Sequence, residues 1–206
     1  GKARDVLHPE FQPYYIPVSN SAPVIVHTPV AGSRAATAIP INAKITDEDG
    51  VLGAILYYRK STEAVFTAET MKADTGNIYR ATIPASAVTE NNVDYYLWAT
   101  DAFGASARNP SSWNYVIVVN KKPILHVPPD TVVKEGDTLN MRVWAIDPDN
   151  TVPVVTLINA ASLPIGAYID SGNGVGRIAW RTTATSQGNY AFIFRASDGI
   201  DTVFDT

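Results

Sequence analysis

The sequence predicts an all-β chain of two tandem sandwich domains, and three observations carry that reading. The first is a pair of similar strands. Tyr190, Phe192, Phe194 and Ala196 alternate with smaller or polar residues, the period-two pattern of a half-buried strand, and Asp198-Gly199 then closes it in a turn. A copy lies earlier, with Val93, Tyr95, Leu97 and Ala99 followed by Asp101 and the turn Ala102-Phe103-Gly104. The second observation is spacing. The strand-end aspartates Asp101 and Asp198 stand 97 residues apart, and two Asp-x-Asp turns, at Asp47/Asp49 and Asp147/Asp149, stand 100 apart. The third is length: 206 residues suit one or two domains of about 100–200 residues each.

Taken in order, residues 1–22 form an irregular leader or the tail of a preceding domain. They hold three prolines with Phe11, Tyr14, Tyr15 and Ile16 and no clear period. Disordered arms are usually poor in aromatics, so this segment is expected to pack against something. Residues 23–120 form the first domain. Pro23–Thr28 reads as strand A, and Ile39, Ile41, Ala43 and Ile45 share one face of strand B. Asp47–Gly50 is a turn of the kind Asp and Gly make. Strand C follows over Val51–Arg59, an extra hairpin over Ala64–Ala73, and strand E over Asn77–Ile83. After a corner from Pro84 to Asn92 come strand F at Val93–Thr100 and strand G at Trp113–Val119. Seven short strands with turns every 8–12 residues are the signature of an immunoglobulin-like sandwich.

Asn120-Lys121-Lys122-Pro123 is a short linker into the second domain, residues 121–206. There strand B is Leu139–Ile146 and Asp147–Asn150 its turn. Strands near Val154–Ile158 and Gly174–Arg181 precede the Tyr190–Ala196 strand. Seven residues follow Gly199, and the expectation is a domain truncated inside or just before its last strand.

Two resemblances accompany these patterns. Gly50-Val51, Tyr57-Tyr58-Arg59, Tyr79–Pro84 and Tyr95–Asp101 resemble, in order, the fibronectin type III-like modules of bacterial extracellular proteins. Lys134–Leu139, Ala145–Asp149, Leu163-Pro164, Trp180, Gln187–Tyr190 and Ala196–Gly199 resemble putative-Ig and dystroglycan-type cadherin-like domains, over about residues 128–206. The resemblances imply an extracellular or cell-surface setting, with other domains of the same protein as partners and surface proteins or glycans as candidates.

Composition narrows the function. Hydrophobic residues are 46% and charged residues 17%, enough apolar material for packed cores. A net charge of -4 and a pI near 5.3 argue against nucleic acid, whose binders carry a concentrated basic surface. The absence of cysteine excludes disulfides, thiolate catalysis and zinc–thiolate sites. Apolar runs stay short of the roughly 18 residues of a membrane-spanning helix, so membrane insertion is not expected.

Two constellations are candidate sites. In a sandwich of this topology the loops after strands B and F emerge at one end. Asp147, Asp149 and Asp198 would therefore meet at one pole of the second domain, and Asp47, Asp49 and Asp101 at one pole of the first. Clustered hard oxygen ligands suit calcium, and the cadherin-like resemblance points the same way. The alternative reading is that these are turn-forming aspartates, neutralised in the second domain by Lys121 and Lys122. The second constellation is aromatic. If Tyr95, Leu97 and Ala99 face the core, Tyr96 and Trp98 face outward beside Tyr57, a patch suited to sugars or peptides unless the leader or another domain covers it. His8, His27 and His126 stand near no plausible nucleophile and read as structural. Gly172–Gly176 lacks the helix that would complete an anion site. The expected role is a non-catalytic spacer, presentation or adhesion pair. The alternatives are a carbohydrate- or peptide-binding module, or accessory domains of a secreted hydrolase.

Overall fold

In the computed structural model, residues 19–164, 167–170 and 172–206 are described. The chain is all-β, two immunoglobulin-like sandwiches in tandem. The first contains β1 (Val24–Val26), β2 (Gly32–Arg34), β3 (Ile39–Thr46), β4 (Val51–Lys60), β5 (Thr67–Thr70), β6 (Lys72–Ala73), β7 (Ile78–Ile83), β8 (Val93–Asp101), β9 (Ser106–Asn109) and β10 (Tyr115–Asn120). One sheet runs β1-β3-β7-β6 and the other β2-β10-β8-β4-β5, with β9 also on β8. The alternation in β3 does what it predicts: Ile39, Ile41, Ala43 and Ile45 are all buried. They meet Leu56, Tyr95 and Leu97 from the facing sheet in one core.

The second sandwich contains β11 (Ile124–His126), β12 (Thr138–Ile146), β13 (Val154–Leu157), β14 (Ala167–Asp170), β15 (Val175–Arg181), β16 (Phe194–Ser197) and β17 (Thr202–Asp205). Its sheets run β11-β12-β15-β14 and β13-β16-β17. Val143, Val155, Ile178, Phe194 and Ala196 form its core. The two domains repeat each other closely at their first strands. Val24 pairs Thr46 as Ile124 pairs Ile146, and Val26 pairs Lys44 as His126 pairs Trp144.

Three expectations need correction. Ala64–Ala73 is not a hairpin: β5 pairs with β4, while β6 pairs with β7 in the other sheet. The chain crosses between sheets at Met71, whose side chain is buried in the core, so one apolar anchor replaces the turn a hairpin needs. Strand G is present as β10 but starts at Tyr115, leaving Trp113 outside it and exposed, and an unexpected strand, β9, pairs with the end of β8 while β10 pairs with its beginning. Tyr190–Ala196 is a ladder strand only from Phe194. Phe192, Phe194 and Ala196 are buried as the alternation predicts, but β17 pairs only with Phe194–Ser197. On the side where β4 pairs with β8 in the first domain, Asn159, just past β13, serves Ile193 and Ala191 instead, accepting from the Ile193 N–H at 3.0 Å and donating to the Ala191 carbonyl at 2.8 Å. The last strand itself is present over four residues.

Candidate functional site: the acidic poles and the aromatic face

The pole of the second domain is built from two turns. After β12, Asp147 Oδ1 accepts from the Asp149 N–H at 2.7 Å, the short local bond that makes Asp a turn former, and Asn150 takes a φ of 64°. After β16, Asp198 Oδ1 accepts from the Ile200 and Asp201 N–H groups. The linker fastens onto both turns. Asn120 Nδ2 donates to Asp198 Oδ2 and to Asp201 Oδ2, each at 2.9 Å, with the Lys121 carbonyl at 3.1 Å. The Lys121 N–H donates to Asp149 Oδ2 at 2.7 Å, and its Nζ lies 3.4 Å from Asp149 Oδ1. Arg34 adds a guanidinium donor to the Ile200 carbonyl. It reaches there because β2 lies parallel to β10 with Arg34 opposite Asn120.

Electrostatics agree with the geometry. Burial alone would raise the Asp198 pKa, but the Asn120 amide and the Asp201 and Ile200 N–H groups together hold it below the usual carboxylate value. Hydrogen bonds to the charged form have that effect.

The pole of the first domain follows the same plan. Asp47 Oδ1 accepts from the Asp49 N–H at 2.9 Å. Asp101, fully buried, accepts from the Phe103 and Ala105 N–H groups at 2.8 and 2.9 Å, and its other oxygen accepts from Asn20 Nδ2 at 2.7 Å. Here too burial would raise the pKa, and Asn20 with those N–H groups holds it low.

The fit of these residues to calcium can be judged from their oxygens. A calcium ion takes six to eight oxygen ligands. At both poles the carboxylates are instead turned to N–H donors of turns and linker. Asp47 Oδ2 and Asp147 Oδ2 are buried oxygens with no hydrogen-bond partner. Yet among the described residues no group of three or more His, Asp or Glu side chains is arranged to hold a metal ion. The set does not form a calcium cage. Lys121 supplies a cation at the second pole, as the alternative reading expected; the decisive groups there are Asn120 and Asp201, which sequence reasoning missed. A linker asparagine has no periodic signature, and Asp201 reads as one more turn residue.

The aromatic face is outward, as the alternation of β8 predicts. Tyr57 stands opposite Tyr96 and Ile55 opposite Trp98. Tyr57, Tyr96 and Trp98 are each half-buried. Tyr57 and Tyr96 stack with centroids 4.8 Å apart, Phe66 meets Tyr96 edge-on at 5.0 Å, and Arg108 lies 4.0 Å over the Tyr96 ring. Because β4 and β9 flank β8 on opposite sides, Tyr57 and Arg108 close both faces of Tyr96. Among the described residues the cover is the domain's own side chains, Arg108 and Phe66, which the sequence did not single out. Trp98 donates its ring N–H to Thr100 at 3.3 Å.

The two described histidines are each engaged by neighbouring groups. The Val30 N–H donates to the Tyr95 hydroxyl oxygen at 3.1 Å, so the Tyr95 O–H is directed at His27 Nε2, 2.8 Å away. His27 Nδ1–H then donates to the Asn42 carbonyl at 2.6 Å. That is a neutral imidazole, and burial pushes its pKa below the usual value despite the Asn42 carbonyl. Burial likewise pushes the Tyr95 hydroxyl up to about 12. His126 stacks on Trp144 at 5.0 Å. His8 lies outside the described residues, as do Phe11, Tyr14 and Tyr15. No helix among the described residues is long and apolar enough to cross a membrane.

The chain matches no protein-family model, and no curated protein matches it. Among solved structures it is similar to the I67–I69 fragment of the titin I-band, with 11% identity and a TM-score of 0.52 over 90% of this chain. It spans 64% of that fragment's length. A titin A168–A169 fragment (12% identity, TM-score 0.41) aligns with 89% of this chain and 95% of its own. The Ig1-2 module of the Drosophila receptor protein tyrosine phosphatase DLAR (15%, 0.34) aligns with 90% of this chain and 96% of its own. At 11% identity the likeness to the I67–I69 fragment speaks to fold alone, and the fold it shows is the tandem immunoglobulin-like pair.

Proposed function

We propose that the chain is a non-catalytic pair of immunoglobulin-like modules that spaces and presents neighbouring parts of a larger surface or secreted protein, as a presentation or adhesion element. The observation that carries this reading is the junction. Asn120 bridges two carboxylates of the next domain and Lys121 engages a third, so a four-residue linker is tied at both turns of the pole it enters. Pro123, its last residue, is buried and fixes one further backbone dihedral. A tied, short linker suits a part whose task is to hold distance and direction. The fibronectin type III-like and cadherin-like resemblances supply the extracellular setting, with other domains of the same protein as partners. Small-angle scattering tests the spacer role: an elongated particle whose maximum dimension is the same at low and high salt is expected. A dimension that varies with salt, or a broad distribution of shapes, contradicts it.

A second reading, a carbohydrate- or peptide-binding face at Tyr57, Tyr96 and Trp98, draws support from the outward placement of all three. Sugar stacking needs an open ring face, and Tyr96 has none, which puts the spacer reading ahead. Binding on a glycan or peptide array that disappears in Trp98→Ala, with the melt unchanged, establishes the second reading instead. Turnover on a hydrolase substrate panel by the purified chain, lost on changing one residue, refutes the non-catalytic assignment.

A further inference from the structure

The clasp that joins the two domains is present a second time, at the pole of the first domain, where no sandwich is seated on it among the described residues. Asn20 stands 100 residues before Asn120, and Asn20-Ser21-Ala22-Pro23 matches Asn120-Lys121-Lys122-Pro123 at its first and last positions. Both prolines are buried. Asn20 Nδ2 donates to the strand-end carboxylate Asp101 at 2.7 Å, as Asn120 Nδ2 donates to Asp198 at 2.9 Å. The next residue also meets the turn after strand B, though at a different acidic residue. The Lys121 N–H is bonded to Asp149 of the turn after β12. In the first domain, Glu48 of the corresponding turn has its carboxyl held low first by its own backbone N–H and then by the Ser21 hydroxyl and N–H.

The surface around the clasp also corresponds. Ile200 sits two residues after Asp198, and its carbonyl receives Arg34 from the neighbouring domain. Phe103 sits two residues after Asp101 and is 73% exposed, with Leu52 beside the other turn also 73% exposed. A further echo concerns what leads into the clasp. In the first domain the strand entering the linker is β10, Tyr115–Asn120. In the sequence, Tyr15, Val18 and Asn20 precede Pro23 at the spacing at which Tyr115, Val118 and Asn120 precede Pro123.

We infer that the exposed pole of the first domain, formed by Asn20, Ser21, Glu48, Asp101 and Phe103, is a docking surface for another immunoglobulin-like sandwich in the same chain. That sandwich is seated through residues 20–23 as the second domain of this pair is seated through 120–123. The inference rests on the spacer reading and deepens it: the pair is a repeating unit in which each linker asparagine ties one domain to the pole of the next. The occupant is an immunoglobulin-like domain because the established junction holds the corresponding bond from linker asparagine to strand-end aspartate, and because a linker-borne amide is held by a neighbour, not by a free ligand.

The test joins residues 1–119 directly to residues 20–206, so that Asn20 takes the place of Asn120 behind an intact first domain, and reads domain motion by ¹⁵N relaxation. The expected result is equal rotational correlation times for all three domains. Asn20→Ala made only at the new junction should then separate the first domain's correlation time from the others while leaving the last two matched. A first domain that is unfolded or tumbles on its own in the unsubstituted chain overturns the inference, as does an Asn20→Ala variant with no effect. If all three domains tumble separately, including the original pair, the spacer reading itself fails.

Discussion

Replacing Asn120 by Ala should weaken the junction more than replacing the charged Lys121 does. The Asn120 amide donates to two carboxylates at 2.9 Å, and hydrogen bonds to charged groups contribute roughly 1.5–3 kcal/mol each. Asp198 and Asp201 are only half-buried, so water replaces part of what is lost. The expected cost is therefore about 2–3 kcal/mol for the pair of bonds together. Lys121→Ala removes only the ammonium at 3.4 Å from Asp149, with its side chain 39% exposed. Exposed ion pairs contribute about 0–1 kcal/mol, and the backbone N–H of residue 121 still reaches Asp149. Urea unfolding of the intact chain, followed by amide resonances of the second domain, measures both variants against the parent. Asn120→Ala costing less than about 0.5 kcal/mol, within the range of an ordinary surface substitution, refutes the reasoning. So does a Lys121→Ala cost equal to or above it.

Other outcomes follow from the same contacts. Acid should destabilise the first domain. Burial holds the folded His27 pKa below the ordinary value of 6.5, so the unfolded chain takes up the proton first. Stability is lost as pH falls from about 6.5 towards the folded value, and above about 6.5 it does not depend on this group; melts of the first domain across that range, flat in His27→Gln, check this. Asp101 and Asp198 act lower, since their folded pKa values lie below 3.8: their contribution is present above that and disappears as pH falls through the folded values. Melts in millimolar calcium and in chelator should coincide, because mass-action stabilisation requires a site. A rise in the second domain's melting temperature with calcium contradicts the assignment of Asp147, Asp149 and Asp198 to hydrogen bonds. Trp98→Ala should cost about 2 kcal/mol, roughly half the price of truncating a fully buried Trp, with no ligand required to reveal it.

Much of the fold is legible in residue alternation. Ile39, Ile41, Ala43 and Ile45 announce a strand and its buried face, and Tyr95, Leu97 and Ala99 do the same for β8. Pairing is less legible, because alternation says which face is buried and not which neighbour a strand chooses. That is why Ala64–Ala73 reads as a hairpin while Met71 in fact carries the chain from one sheet to the other. Tyr190–Ile193 shows the opposite case: burial obeys the pattern, but ladder bonds need a partner strand, and Asn159 stands in for it. At the poles the aspartates are legible from their repeat, whereas their partners are not. Asn120 acts through two side-chain donors across 78 and 81 residues of sequence, a contact no local pattern encodes. On the aromatic face, Tyr57, Tyr96 and Trp98 are correctly placed outward. Arg108 over Tyr96 depends on β9 lying along β8, a pairing that alternation does not announce.

The central claim is that the linker clasp makes the two domains move as one body. Residual dipolar couplings of the intact chain, fitted separately for residues 23–120 and 123–206, test it most directly. A common alignment tensor for both domains, splitting into two in Asn120→Ala, is the predicted result. Two different tensors in the unsubstituted chain contradict it.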